Sequence, residues 1–152
     1  MNIYGKLEEI IHTANTLFPE FLKENKQVLG DRKGVYLLAV SRNEWKTVGA
    51  VLGDFEDPLK ILEKTAFATE KACRLEKNYK HFTSFHTQNY TKKQFGGAIS
   101  LPEIILSCSG FPAIQDHYFC LSVLKKVGLC SEKEEQRIQK EFECYKNFGT
   151  SY

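Results

Sequence analysis

The sequence lacks any apolar run long enough to cross a bilayer, and it lacks an excess of charge of one sign. No stretch of about 18 apolar residues occurs, and the N-terminus has no basic-then-apolar export pattern. Basic residues number 21 and acidic residues 19, whereas a nucleic-acid binder gathers Lys and Arg on one face. We therefore expect a cytosolic protein with neither nucleic acid nor membrane as a partner.

Signatures of disulfide, metal and hydrolase chemistry are missing as well. The five cysteines are an odd number without a CxxC pair, which suits neither a disulfide framework nor a zinc knuckle. The four histidines form no HExxH or HxH pair, and no GxSxG elbow occurs. We predict reduced thiols in or near the core, and no enzyme class is demanded.

The length and composition of the chain are typical of one globular domain. Its 152 residues are 42% hydrophobic and 26% charged, which fits a single core spanning residues 1–152. Apolar spacing and turn residues predict eight elements, in the order helix 3–22, strands 35–40 and 45–52, helix 58–78, strands 98–101 and 104–109, helix 113–127, and a last helix that starts with the capping box of Ser131 and Glu134.

The order of these elements predicts the fold class. Strands that come in pairs, separated by a long helix, suit an α+β fold with one antiparallel sheet covered by helices, as in profilin-like or PAS-like domains. A doubly wound parallel sheet would need strands and helices to alternate singly. Pro19 predicts a kink or a split in the first helix. The inner face of helix 58–78 is predicted to contain Ile61, Leu62, Thr65, Ala66, Ala68, Thr69, Ala72, Cys73 and Leu75.

Two glycine-containing junctions are candidate sites. Ser109 and Gly110 end a strand and lead through Pro112 into a helix, where free amides and the helix dipole can bind an anion. The same residues also make an ordinary strand-to-helix turn. Gly96 and Gly97 either open room for a ligand or form a bulge.

Histidines occur in two contexts. His81 and His86 lie in a segment, predicted as a loop, whose rings Phe82, Phe85 and Tyr90 either contact a flat cofactor or pack the loop over the core.

The second context is the first turn of helix 113–127. There the helix dipole favours Asp116, while the neighbouring His117 is a candidate ligand or proton shuttle. Cys108 precedes this helix, although its strand context fits an inert buried thiol.

These segments resemble the GlcG/HbpS-like family, which includes the C-terminal domain of PduO proteins. The resemblance is carried by the Gly96-Gly97 hairpin, the Ser109-Gly110 turn after the last strand, and Asp116 in the following helix. Glu63-Lys64-Thr65-Ala66 and Glu70-Lys71-Ala72 are similar to the Lys-Ala pattern of the family's middle helix. The resemblance covers about residues 35 to 128.

The resemblance implies an antiparallel sheet with packed helices, frequent homo-oligomers and, in several members, binding of haem or a related tetrapyrrole. Our first hypothesis is a ligand-binding domain with a site at Gly96, Gly97, Ser109, Gly110, Asp116, His117 and His86. A second is a homo-oligomer without a cofactor, paired through the final helix at Ile138, Phe142 and Tyr145. A third is a small enzyme that uses Asp116 and His117, with Cys108 as a further candidate.

Overall fold

The computed structural model describes residues 3–44, 46–78 and 80–146. Its elements in chain order are α1 Ile3–Glu24, α2 Lys26–Leu29, β1 Gly34–Ser41, β2 Lys46–Gly53, α3 Leu59–Lys77, β3 Ala98–Ser100, β4 Ile104–Ser109, α4 Ala113–Lys126 and α5 Glu132–Tyr145. All eight predicted elements are present, and α2 is additional. Trp45, the predicted first residue of the second strand, lies outside the described residues.

The strands form one antiparallel sheet in the order β2-β1-β4-β3. Leu38 in β1 lies opposite Gly49 of β2 on one side and Ser107 of β4 on the other. The predicted hairpin of β3 and β4 pairs Ile99 with Leu106. The prediction of an α+β fold with a single antiparallel sheet covered by helices is therefore confirmed.

Helices cover the sheet on both faces. The larger core lies between the sheet and α1, α4 and α5, and its ring cluster is formed by Phe18, Phe21, Phe111 and Phe119. The smaller core lies under α3 and contains Leu38, Ala68, Ala72, Leu75, Ala98 and Ile105. Because side chains alternate along a strand, Cys108 faces the larger core, whereas Ser107 and Ser109 face α3.

Pro19 does not split the first helix. α1 continues through it to Glu24, although a proline inside a helix removes one backbone hydrogen bond and costs about 3 kcal/mol. Ala14, Phe18 and Phe21 on the same stripe are buried against the core. This packing outweighs the local cost of the proline, because most helical stability in proteins comes from an apolar face.

The buried face of α3 differs from the predicted one. Ala68, Ala72 and Leu75 are buried as expected. The exposed residues include four that the pattern placed inside: Leu62, Ala66, Thr69 and Cys73. In their place the helix buries Lys71 and Arg74, two cations that a purely apolar pattern leaves out. Both are charged groups with polar partners inside the protein, which is the condition under which charge is buried.

The last helix packs on its own chain. The predicted capping box is confirmed, since the Ser131 hydroxyl accepts from the Glu134 amide and the Glu134 carboxylate accepts from the Ser131 amide. Ile138 and Phe142 are fully buried in the same chain. The prediction of a subunit interface through these two side chains is therefore wrong, because they are not accessible to a second subunit.

Across the described ranges, no helix has both the length and the apolar character that a membrane span requires.

Candidate ligand-binding site

A cleft of about 640 Å³ lies beside α3, at the turn between β4 and α4. This volume is in the range of small-molecule sites. The residues that line it are Glu63, Lys64, Phe67, Lys71, Tyr90, Lys93, Phe95, Ser109, Phe111, Pro112, Ala113 and Asp116. The cleft therefore combines aromatic walls with charged groups.

The aromatic wall comes from α3 and from the segment before β3. The ring of Phe95 meets the ring of Phe67 edge-on at 5.3 Å and that of Tyr90 at 5.6 Å between centroids. Lys64 Nζ lies 5.5 Å from the centroid of Phe67. Flat apolar surface and positive charge are thus adjacent in the cleft.

A buried ion pair forms the floor of the cleft. Lys71 Nζ lies 3.1 Å from Asp116 Oδ2, and both side chains are only 2% exposed. Lys71 Nζ also donates to the Cys108 carbonyl at 2.6 Å. Asp116 Oδ1 accepts from the Phe111 amide at 3.0 Å and from the Cys108 thiol at 3.4 Å. Asp116 therefore ties the first turn of α4 to α3 and to the end of β4.

Burial and the polar partners of Asp116 shift its pKa in opposite directions. Burial raises the pKa of Asp116 from 3.8 to about 6, although the Lys71 ammonium and the Phe111 amide both act to lower it. Desolvation disfavours the carboxylate more than its partners favour it. Asp116 is thus ionised at pH 7 and takes up a proton near pH 6.

The two glycines before β3 lie where other side chains approach the backbone too closely for a Cβ atom. Gly97 has φ +118°, and a Cβ there would lie 2.7 Å from Asp116 Cβ and 2.8 Å from Lys71 Nζ. A Cβ on Gly96 would meet the Phe85 ring at 2.3 Å. Side chains of the chain itself fill the space beside both glycines, so Gly97 lets the backbone pass over the ion pair and Gly96 lets it pass the Phe85 ring.

Gly110 lies on the other side of the β4–α4 turn. Its φ is +149°, and a Cβ would lie 2.4 Å from the Gly34 carbonyl oxygen. It lines a second cleft of about 610 Å³ together with Asp54 and Lys60, and Lys64 lines both clefts. Of the seven predicted ligand-binding residues, Ser109 and Asp116 line the first cleft and Gly97 lies behind its floor.

His117 faces α5 instead of the cleft. It is fully buried, its ring stacks on Phe142 at 4.1 Å, and its Nε2 lies 3.1 Å from Gln139 Oε1. Burial lowers the pKa of His117 to about 4, although the hydrogen bond to Gln139 acts to raise it. His117 is therefore a neutral, packed side chain at pH 7.

His86 belongs to a third set of contacts. Its ring stacks on His81 at 3.2 Å and meets Tyr145 edge-on at 5.3 Å. Burial and the neighbouring His81 lower the pKa of His86. His81 Nδ1 lies 3.4 Å from Glu141 Oε1. The structure thus does not bring His86 or His117 to the residues at the cleft floor.

Of the three groups considered for catalysis, Asp116 and Cys108 are in contact and His117 is apart from them. Asp116 is hydrogen-bonded to Lys71 and Cys108, whereas His117 is hydrogen-bonded to Gln139. Burial, foremost, raises the pKa of the Cys108 thiol well above its usual value, which disfavours the nucleophilic thiolate. The part of the chain that the structure describes has no group of three His, Cys, Asp or Glu side chains placed to hold a metal ion.

Lys71 is a cleft residue that the apolar pattern missed, and Arg74 is a second buried cation on the same helix. Lys71 follows Ala68 by three positions and precedes Leu75 by four, so it lies on the buried stripe of α3. A cation at such a position predicts a buried partner. The burial of Lys71 could have been predicted from this spacing, together with the Lys-Ala pattern that contributes to the resemblance.

Fold and cleft together define a helix-covered antiparallel α+β domain with a cleft of ligand size. No protein-family model and no curated protein matches the chain. Solved structures that share its fold include the following two. The crystal structure of the Ybr137w protein is 17% identical, with a TM-score of 0.53, over 79% of this chain and 78% of that one. The crystal structure of a PduOC:haem complex is 13% identical, with a TM-score of 0.52, over 84% and 95%.

Proposed function

We propose that this chain is a small-molecule-binding domain whose ligand is flat, largely apolar and anionic, with haem and related tetrapyrroles as the class to test first. The cleft carries the proposal, because the rings of Phe67, Tyr90 and Phe95 lie beside Lys64 and Lys93. Flat ligands stack on aromatic rings, and amines pair with carboxylates. The fold shared with a PduOC:haem complex and the GlcG/HbpS resemblance support the choice of class.

The residues of the cleft fit a carboxylated macrocycle. Lys64 and Lys93 would pair with its carboxylates, and the aromatic wall would contact its face. Tyr90 is half-exposed in the cleft and carries a phenolic oxygen, a ligand type that some haem proteins use for iron. His86 and His117, which the sequence suggests as ligands, are absent from the lining. Haem would supply a chromophore that reports its own binding.

Titration with haemin is expected to produce a Soret band that depends on the cleft. Lys64→Ala and Lys93→Ala should each weaken binding by about tenfold, since each removes a charge-assisted contact. Tyr90→Phe should alter the band, whereas His86→Ala and His117→Ala, checked for folding by circular dichroism, should keep it. Lys140→Ala, an exposed lysine on α5, is the control. No spectral change at excess haemin, or loss of the band only in the histidine variants, would reject this proposal.

We also propose that the chain forms homo-oligomers through the outer face of α3. Leu59 and Leu62 are 71% and 69% exposed. Ala66, Thr69 and Cys73 are exposed on the same face and continue the spacing of three and four residues. This is the spacing at which a helix pairs with another copy of itself. The outer face of α3 thus replaces α5 as the surface for self-association.

Light scattering is expected to give a particle mass that is a multiple of the 17.5 kDa chain. The double variant Leu59→Glu, Leu62→Glu should dissociate the particle to 17.5 kDa, because it places like charges in an apolar contact. Lys140→Glu introduces the same charge on the exposed side of α5 and should leave the mass unchanged. A wild-type mass of one chain would contradict the proposal.

A further inference from the structure

We propose that the floor of the cleft contains an oxyanion subsite, formed by the N-terminus of α4, the Ser109 hydroxyl and the Lys71 ammonium. It would take a carboxylate or phosphate group of the ligand. The inference rests on the proposed function in one respect, since both place the ligand in the same cleft. It adds where the anionic group is held and by which atoms.

The first observation is an uncapped helix end. α4 has 14 residues, begins at Ala113, and has no side-chain cap at Pro112. Its first backbone hydrogen bond runs from the Asp116 amide to the Pro112 carbonyl at 3.0 Å. Within the described ranges, the amides of Ala113, Ile114 and Gln115 have no acceptor. Free amides and the positive end of the helix dipole favour an anion at this place.

The second observation is a serine, buried as a whole, whose hydroxyl opens onto the cleft. Ser109 is 4% exposed and lines the cleft, but no described residue hydrogen-bonds to its Oγ. Ser107 lies two positions earlier on the same face of β4, and its hydroxyl donates to the Ala68 carbonyl at 2.7 Å. Among the described residues, the fully enclosed side-chain atoms without a partner are His86 Nδ1, Gln88 Oε1 and His117 Nδ1, so Ser109 Oγ opens onto the cleft. The contrast between the two serines leaves the Ser109 hydroxyl free to bond to a ligand atom there.

The third observation is the remaining donor capacity of Lys71. An ammonium has three N–H groups, and two of them donate to Cys108 and Asp116. The third is left for a ligand in the cleft. The charges that line the cleft are Lys64, Lys71 and Lys93 against Glu63 and Asp116, which leaves one net positive charge. The surroundings of the subsite therefore also favour an anion.

Backbone amide NMR shifts on titration with sulfate test the subsite directly. At constant ionic strength set with chloride, sulfate should produce saturable shifts at Ala113, Ile114 and Gln115. Ser109→Ala should weaken sulfate binding by about tenfold, as expected for one lost bond to a charged group. Ser122→Ala is the matched control on α4, since that hydroxyl is exposed and bonds to the Tyr118 carbonyl. Shifts that do not saturate, or that Ser109→Ala leaves unchanged, would overturn the inference.

The pH dependence provides a second readout. Asp116 faces Lys71 on α3, the Cys108 thiol on β4 and the Phe111 amide. Its pKa of about 6 means that lowering the pH from 7.5 to 5 removes one negative charge beside the subsite. Affinity for sulfate, whose charge is constant in this range, should rise by about tenfold. An affinity that falls over this interval would contradict the arrangement.

Haemin titration of Ser109→Ala separates this inference from the proposed function. If sulfate binds at α4 and haemin gives no Soret band in the wild type, the subsite stands and the tetrapyrrole class is rejected. If haemin binds equally to the wild type and Ser109→Ala, and sulfate shifts are absent, the proposed function stands and the subsite is rejected. We expect sulfate binding and a weaker haemin affinity in the variant, by about tenfold.

Discussion

Replacement of Lys71 by methionine is expected to lower the free energy of unfolding by about 3–5 kcal/mol at pH 7.5, because it leaves a buried charge without its partner. Methionine keeps an unbranched chain but removes the ammonium. The Asp116 carboxyl, 2% exposed, would then keep only the Phe111 amide and the Cys108 thiol as partners. Urea unfolding monitored by circular dichroism measures the loss.

The loss is expected to become smaller as the pH falls. A carboxyl whose pKa is higher in the folded than in the unfolded state stabilises the protein below its unfolded pKa, and this stabilisation is lost as the pH rises through the folded pKa. The folded pKa of Asp116 is about 6 with Lys71 present. Without Lys71, the largest cause that lowers it, the pKa rises further. The variant should therefore lose more stability than the wild type between pH 4.5 and 7.5.

Two further variants make this result specific to the ion pair. Lys77→Met removes an exposed lysine from the end of the same helix and should change stability little. The double variant Lys71→Met, Asp116→Asn should recover part of the loss, since it removes the buried charge and keeps an oxygen for the Phe111 amide. Equal losses in Lys77→Met and Lys71→Met, or a loss independent of pH, would show that the pair does not carry this stability.

The elements of the fold could be predicted because their signals are local. Ser131 and Glu134 begin a helix through hydrogen bonds between near neighbours, and the run from Ile104 to Ser109 starts with three apolar residues, two of them β-branched. The continuation of α1 through Pro19 could not be predicted, for the opposite reason. Its effect depends on how Phe18 and Phe21 pack against rings from α4, and no local pattern contains that information.

The candidate site was only partly predictable, since its contacts join distant segments. Lys71 reaches Cys108 and Asp116, which lie 37 and 45 positions further along the chain. Asp116 and His117 looked like a functional pair because they are adjacent in sequence. Neighbours on a helix point about 100° apart, and one faces the cleft floor while the other stacks on α5.

Arg74 is expected to be the anchor of the segment that carries the aromatic wall. Arg74 is 7% exposed, and its guanidinium pairs with the Glu70 carboxylate at 2.8 and 3.0 Å. It also donates to the Ser84 carbonyl at 2.7 Å, to the Thr87 hydroxyl at 2.9 Å and to the Phe95 carbonyl. One side chain thus holds three points of the segment between α3 and β3.

Arg74→Met is expected to lower the free energy of unfolding by about 3 kcal/mol, because it leaves buried carbonyls without a donor. Arg74→Lys should rescue little, since an ammonium cannot reproduce a planar fork that bonds in several directions. Hydrogen exchange should accelerate between residues 84 and 95 while the amides of β1 and β4 stay protected. Arg137→Met, an exposed arginine on α5, is the control.

Arg74→Met also tests whether the segment that Arg74 anchors takes part in ligand binding. Tyr90 and Phe95 lie on the anchored segment and line the cleft, so its release should weaken haemin binding by tenfold or more, about 1.4 kcal/mol. In the wild type, bound ligand should slow exchange in this segment, because a ligand that binds only the closed form stabilises that form. Faster exchange spread evenly over the sheet would indicate global destabilisation. Faster exchange confined to 84–95 with unchanged haemin affinity would place the ligand elsewhere than against this wall.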